Sequence, residues 1–353
     1  MKKLEVGILG ATGMVGQRFV SLLENHPWFE LTWLAASDRS AGKAYSEACS
    51  WRLREPMPER ARPLRVQECK PVAQAGRIPQ LLFSSLDSRV AGEVEQEFAR
   101  AGHVVVSNSS NYRMDPDVPL LIPEVNPDHL ALVRVQRQGR GWKGMIVTNP
   151  NCTTVGLVMS LAPLEKAFGL DKVLMTSMQA VSGAGYPGVP TLDILGNVIP
   201  HIAGEEEKVE RETQKLLGKL ADGRVDPGNF AVSAHCNRVL VEDGHMESVS
   251  VALKSKASVE DLLAAWRAFQ SVPQQRKLPS APAHPIVVRE EKDRPQPKFY
   301  LHAEGGMATV VGRVRSCPVL QFKYMALSHN TIRGAAGAAL LNAELMKSEG
   351  YLD

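Results

Sequence analysis

"LEVGILGATGMVGQRFVSLLENHPWFELTWLAASDRS", residues Leu4 to Ser40, reads as strand, glycine turn, helix and second strand in one short span. The apolar run Leu4 to Leu9 meets the turn Gly10-Ala11-Thr12-Gly13. Met14 to Glu24 then carries apolar residues at helical spacing, and Phe29 to Ala36 is apolar again. This is a βαβ unit. Gly10 to Gly16 fits G-x-x-G-x-x-G, in which glycines permit a sharp turn and close approach to a pyrophosphate held by helix N-terminal amides. A glycine turn kept only for packing is the plainer alternative, and the βαβ context favours a dinucleotide. At the end of the second strand Ser37, Arg39, Ser40 and Lys43 surround a single acid, Asp38. Cationic and hydroxyl groups there suit a 2′-phosphate, so NADP is favoured over NAD.

The alternation continues downstream. Strands are expected at Gln80 to Ser84 and His103 to Asn108, with a helix from about Val90 to Ala101 between them, which predicts a parallel sheet covered on both faces. Beyond Cys152 the pattern changes. A helix from Thr153 to about Ala167 precedes β-rich stretches at Val173 to Val181, Phe230 to Val241 and Glu247 to Leu253. Helices are expected from Glu205 to about Leu220 and from Ser258 to about Gln270, the second opened by the capping box Ser258-Val259-Glu260-Asp261. The Pro-rich segment 277 to 285 reads as a loop, and Ala-rich His329 to Lys347 as a last helix able to pack tightly on a sheet. The fold class is α/β, with an α+β region following Cys152.

At 353 residues the chain is too long for one ordinary core, so two domains are expected. Lys and Arg number 41 against 38 Asp and Glu, interspersed, for a net charge of +3. That gives no basic field of the kind nucleic acid requires. The cysteines, Cys49, Cys69, Cys152, Cys236 and Cys317, are odd in number, widely spaced and never C-x-x-C. A disulfide framework and a metal site are both disfavoured, and a reducing compartment is expected. MKKLEVGILG reads as a strand rather than a leader, and no stretch reaches the roughly 18 apolar residues of a membrane helix. The expectation is a soluble cytoplasmic protein with no membrane partner.

Cys152 stands apart from the other cysteines, which read as buried and inert. In Asn149-Pro150-Asn151-Cys152-Thr153-Thr154 it occupies the first turn of an apolar helix. The positive helix end is expected to stabilise the thiolate and lower the thiol pKa. A cysteine nucleophile beside a dinucleotide points to a thioester lying between an acyl group and an aldehyde. That chemistry also needs a base, an orienting group and anchors for substrate charges. His245 follows Arg238 by seven residues across a glycine turn, and Gln179 ends a strand before the glycine-rich turn of QAVSGAG.

Together these residues closely resemble the aspartate-semialdehyde dehydrogenases, from Leu4 to the C-terminal helix. The GATGxVG turn, the cysteine in N-x-C-T-T, Q-x-x-SGAG, an E-x-x-K helix start and R-x₆-H are present in that order. RSAGKAY, GEEEK and HNTIRGAAGA look like the branch found in archaea, fungi and some bacteria. The resemblance implies a Rossmann-like dinucleotide-binding domain made of 1–150 together with 329–353. It also implies an α+β catalytic and dimerisation domain over 151–328, similar to the C-terminal domain of glyceraldehyde-3-phosphate dehydrogenase. The implied reaction is NADPH-dependent conversion of L-4-aspartyl phosphate, with release of phosphate, to L-aspartate 4-semialdehyde. In reverse it is a phosphate-dependent aldehyde oxidation. Implied roles are Cys152 as nucleophile, His245 as general acid/base and Gln179 as the group orienting the thioacyl intermediate. Arg238 would grip the α-carboxylate, Glu205 the α-ammonium, and Lys208 with Arg113 the phosphate. Three successive glutamates, Glu205 to Glu207, leave the register of the ammonium contact open. Implied cofactor contacts are Gly10, Thr12, Gly13, Met14 and Val15 at the pyrophosphate, and Ser37, Arg39, Ser40 and Lys43 at the 2′-phosphate. Ser84, Leu86, Asn108, Ser182, Gly183 and Asn330 of the last helix would lie toward the nicotinamide. No metal is implied, and a homodimer or homotetramer is.

Other readings remain on this scaffold. A reductase of malonyl-CoA or another CoA thioester would use the same cysteine, although Glu205 and Arg238 together suit an amino-acid substrate. N-acetylglutamyl-phosphate reductase shares the logic but not the NPNCTT and SGAG combination, and glyceraldehyde-3-phosphate dehydrogenase is more distant. A non-catalytic dinucleotide-sensing regulator would not need the cysteine, glutamine, arginine and histidine together.

Overall fold

The computed structural model describes residues 2–71 and 77–352. The outer edges of the first expected domain, residues 1 and 353, lie outside them. Strands β1 (Leu4–Leu9), β2 (Phe29–Ala36), β3 (Val66–Glu68), β4 (Leu81–Ser84), β5 (Val104–Ser107) and β6 (Met145–Thr148) form a parallel sheet in the order β3-β2-β1-β4-β5-β6. β4, β5 and β6 are buried at every residue, as expected of a parallel sheet with helices on both faces. One face packs Val6, Ile8, Phe83 and Val106 against Phe19 of the Met14–Leu23 helix and against Leu340, Leu341 and Leu345 of the C-terminal helix. The other packs Leu9, Trp33, Leu82 and Ile146 against Phe98 of the Ser88–Ala101 helix.

The second sheet is mixed. β7 (Leu170–Gln179), the small hairpin β8 (Lys219–Ala221) and β9 (Arg224–Asp226), β10 (Ala231–Arg238), β11 (His245–Leu253), β12 (Ile286–Arg289), β13 (Thr309–Ser316) and β14 (Phe322–Ser328) follow in the chain. The sheet order is β10-β7-β11-β14-β13-β12, with the hairpin apart. Its inner face covers the Cys152–Phe168 helix, whose residues 153 to 164 are all buried. A helix apolar on every side belongs inside a protein, and this one lies between the sheet and its other covering helices.

Several expectations need correction. The Glu205 helix ends at Leu216 because Gly218 and the Asp222-Gly223 turn start the β8–β9 hairpin. The C-terminal stretch opens with a π-turn at Ile332–Ala336 before the α-helix Gly337–Ser348, so Asn330 sits in a turn ahead of the helix. Cys49 and Cys236 are buried, but Cys69 and Cys317 are only half-buried. β3, β6, β8, β9, β12, β13, β14 and the Leu132–Arg140 helix go beyond the expected elements; the three residues of β3, β8 and β9 are too few to show periodicity.

Because the C-terminal helix completes the first core, Leu341→Ala should lower unfolding free energy by about 3 kcal/mol in a denaturant titration. A loss below about 1 kcal/mol would mean that the helix is peripheral to that core.

Candidate active site

Both sheets present one edge to the same place. β10 and β7 run parallel and end in register, Arg238 opposite Gln179, while antiparallel β11 begins at that edge with His245. From the first sheet, β6 runs through the buried turn Asn149-Pro150-Asn151 into the helix that starts at Cys152. The Cys152 Sγ comes to lie 3.2 Å from His245 Nε2. From the C-terminal side, Gly334 of the π-turn backs onto Cys152, where a Cβ would stand 2.7 Å from the cysteine Cβ. That turn is held by Arg333, which makes two 2.8 Å bonds to Glu124 with both side chains fully buried.

The Ala180 main-chain N–H donates to His245 Nδ1 at 3.1 Å. An amide nitrogen can only donate, so Nδ1 carries no proton and the neutral ring holds its proton on Nε2, facing the sulfur. Burial, then Arg238 and His329, push the His245 imidazole down to about 3. Burial, reinforced by Glu205, pushes the Cys152 thiol up to about 12 against the pull of Arg113, Arg238 and the Thr153 amide. The expectation that the helix end keeps this thiol ionised is therefore corrected. Asn151 caps the helix itself, its Oδ1 accepting from Thr153 at 2.8 Å and Thr154 at 3.3 Å, and desolvation outweighs the dipole.

Charged side chains converge around this pair. Arg238, mostly buried, donates from Nη1 to the Ala180 carbonyl at 2.8 Å. Of the three glutamates, Glu205 turns inward to accept from Asn151 Nδ2 at 2.8 Å, whereas Glu206 accepts from the Cys236 amide at 3.0 Å and Glu207 is exposed. Lys208 stands 3.8 Å from Glu205 and is half-exposed. Arg113 is buried, held by Glu212 at 3.0 Å and the Asn108 carbonyl at 2.7 Å, with its Nε unpartnered. Gln179 is buried and donates to Ser177 Oγ at 3.2 Å. At Gly183 a Cβ would stand 2.8 Å from Arg238 Nη1 and 3.1 Å from His245 Cε1, so a larger residue there would displace both side chains.

The glycine turn fits a dinucleotide. Gly10 has φ +79°, and a Cβ on Gly16 would meet the Gly10 carbonyl at 2.3 Å, so both are fixed by the turn. Over Gly13 only the Gly10 carbonyl comes near, leaving room above the helix end, and no side chain caps the Met14–Leu23 helix. Its first-turn amides are left for an anion. There Gly13 is exposed and Thr12, Met14 and Val15 are half-buried, Val15 against the first core. Ser37 and Arg39 are exposed at the end of β2, Lys43 is exposed and Ser40 half-buried close by, and neither Arg39 nor Lys43 forms an ion pair among the described residues. Ser84 ends β4 with an unpartnered Oγ, and Leu86 follows it, half-buried. Met14 and Ser182 face a cleft of about 630 Å³ between the two sheets' loops. Asn330 is fixed there by donating to Ser182 Oγ at 2.8 Å and accepting from the Gly244 amide at 2.8 Å. Asn108 spends its side chain on the protein, donating to the Ser84 carbonyl and accepting from Asn149. No metal-holding group of three or more His, Cys, Asp or Glu side chains occurs among the described residues.

The semialdehyde dehydrogenase NAD-binding domain matches residues 5–133 and the semialdehyde dehydrogenase dimerisation domain matches 161–333. Aspartate-semialdehyde dehydrogenase of Methanothermobacter thermautotrophicus is 51% identical over 97% of this chain and 99% of its own. The chain belongs to the aspartate-semialdehyde dehydrogenase family. The Saccharomyces cerevisiae member is 46% identical over 98% of both chains. The Candida albicans family member, solved with NADP, superposes with a TM-score of 0.90 at 43% identity, covering 99% of each chain. A more distant Vibrio cholerae enzyme, solved with ASA, reaches a TM-score of 0.78 at 26% identity over 99% of this chain and 100% of its own.

Glu212, Asn151 as cap, the Ala180 amide and Gly334 were not singled out from the sequence. Two had a signal: Asn151 is a preferred cap residue directly before a helix start, and Glu212 lies seven residues after Glu205 on the same helix face. Because the thiol is held protonated, iodoacetamide alkylation of Cys152 in the ligand-free protein should rise about tenfold per pH unit from neutrality to pH 10. A plateau near neutral pH, measured against Cys152→Ala as blank, would refute the raised pKa.

Proposed function

We propose that this protein converts L-4-aspartyl phosphate to L-aspartate 4-semialdehyde with NADPH, through a thioester on Cys152, a step toward lysine, threonine and methionine. The single observation carrying the reading is the 3.2 Å contact of Cys152 with His245 at the edge where a dinucleotide turn and a cluster of substrate-sized charges meet. Residues 1–150 with 329–353 form the cofactor domain and 151–328 the catalytic and dimerisation domain, a division supported by the C-terminal helix in the first core.

Bound NADPH supplies the hydride; the rest falls to the chain. Arg238 takes the substrate α-carboxylate and Glu205 the α-ammonium, which aims the β-acyl carbon at Sγ. Arg113, through its unpartnered Nε, and Lys208 receive the phosphate group. Attack by sulfur forms the C–S bond and breaks the acyl C–O bond; the phosphate leaves with the electron pair and takes up the thiol proton. Gln179 orients the thioacyl carbonyl. With Nδ1 engaged by the Ala180 amide, His245 acts as a donor rather than as the base the resemblance implies: its Nε2–H faces first the sulfur and then the oxyanion formed when hydride adds to the thioacyl carbonyl. Collapse of that oxyanion to the aldehyde expels sulfur as thiolate, again facing Nε2–H.

The outer face of the second sheet, with Leu174, Met178, Met246 and Met325 incompletely buried, is where two copies pair, as a dimer or half of a tetramer. All five cysteines are free and no helix among the described residues is long and apolar enough to cross a membrane. A cytoplasmic site of action accords with both.

Cys152→Ala should abolish NADP-linked turnover of aspartate semialdehyde with phosphate, and retained turnover would refute the thioester route. Arg238→Leu should lower kcat/KM at least about a hundredfold with aspartate semialdehyde, as loss of a buried charge-assisted contact predicts. Faster turnover of malonyl-CoA than of aspartate semialdehyde plus phosphate would overturn the substrate assignment.

A further inference from the structure

The Glu205–Leu216 helix presents Glu205, Lys208, Glu212 and Lys215 along one face. The first two have substrate roles above; the last two have none, yet both are buried. Glu212 accepts from Arg113 Nη1 on one carboxylate oxygen at 3.0 Å and from the Asn151 main-chain N–H on the other at 2.6 Å. Lys215 spends its three N–H groups on the carbonyls of Arg113 at 2.7 Å, Asp115 at 2.8 Å and Val118 at 3.0 Å. One helix face thus holds the Arg113 loop by its backbone, the Arg113 guanidinium by its edge, and the residue heading the turn into Cys152.

We infer that Glu212 is a positioning residue that couples anion occupancy at Arg113 to the orientation of Cys152. The inference rests on the reading of Arg113 as an anion ligand. A carboxylate is rigid, so its two acceptors move together, and a guanidinium drawn toward an anion at its free Nε shifts the oxygen that holds Asn151. Asn151 passes the shift on because its side chain caps the helix of which Cys152 is the first residue. The bonds cannot be released singly without cost, since each would leave a buried charge or amide unpartnered. Filling the phosphate subsite and aiming the sulfur become one event.

The test is Glu212→Gln in the full chain, whose amide offers an acceptor to only one of the two donors. Two quantities are read: the KM for phosphate in the oxidative direction, and the iodoacetamide rate at Cys152 with and without saturating phosphate. The expected result is an approximately tenfold rise in phosphate KM, as loss of one charge-assisted hydrogen bond predicts, together with an altered alkylation rate and no response of it to phosphate. Glu212→Asp, which keeps the charge, should recover part of both, and it carries the same measurements if the glutamine variant does not fold. A raised phosphate KM with wild-type alkylation and a wild-type phosphate response would overturn the coupling, as would no change in either. Arg113→Gln separates the two ideas. If it leaves phosphate KM unchanged, the anion reading itself fails; if it raises that KM while Glu212→Gln does not, only the coupling fails.

Discussion

The turn Asn149-Pro150-Asn151 crosses from one sheet to the other without reaching water, so every polar group on it needs a partner inside the protein. Asn149 is tied to Asn108, to the Ala335 carbonyl of the π-turn and to Asn342 of the C-terminal helix. Asn151 is tied to Glu205 through its side chain and to Glu212 through its backbone. Those partners come from the loop after β5, from the Glu205–Leu216 helix and from the C-terminal segment. Satisfying one buried crossing therefore brings together the cysteine, the glycine-turn sheet and the charged helix.

The same burial sets the electrostatics of the site. Desolvation favours the neutral forms of both Cys152 and His245, and the Ala180 amide denies His245 a proton on Nδ1. A preformed thiolate–imidazolium pair is thus not the resting arrangement. The ring offers a fixed N–H donor, a group suited to stabilising negative charge on sulfur or oxygen as it appears. Arg113 and Arg238 supply the positive field that makes such charge tolerable in a buried place.

Much of this was legible along the chain. β1 and β2 fall on the residues their apolar runs mark, and Ser258 caps its helix with Asp261 as the capping box predicts. Local chemistry sufficed there, because apolar spacing and cap hydrogen bonds depend on near neighbours. It failed where distant partners decide. The Glu205 helix stops at a hairpin, the last helix begins with a π-turn gripped by buried Arg333, and the thiol is governed by burial rather than by its own helix end.

The residue order by itself specified the glycine turn, the cysteine at a helix start and the family pattern of Gln179, Glu205, Arg238 and His245, since each motif is a short local spacing. Only the tertiary structure decided which glutamate faces inward, which nitrogen of His245 holds the proton, and that Glu212 joins Arg113 to Asn151. Those outcomes depend on which donors and acceptors, far apart in the chain, are closed off from water together. Hydrogen-bond completion inside a core is a property of the whole packing, and no local spacing encodes it.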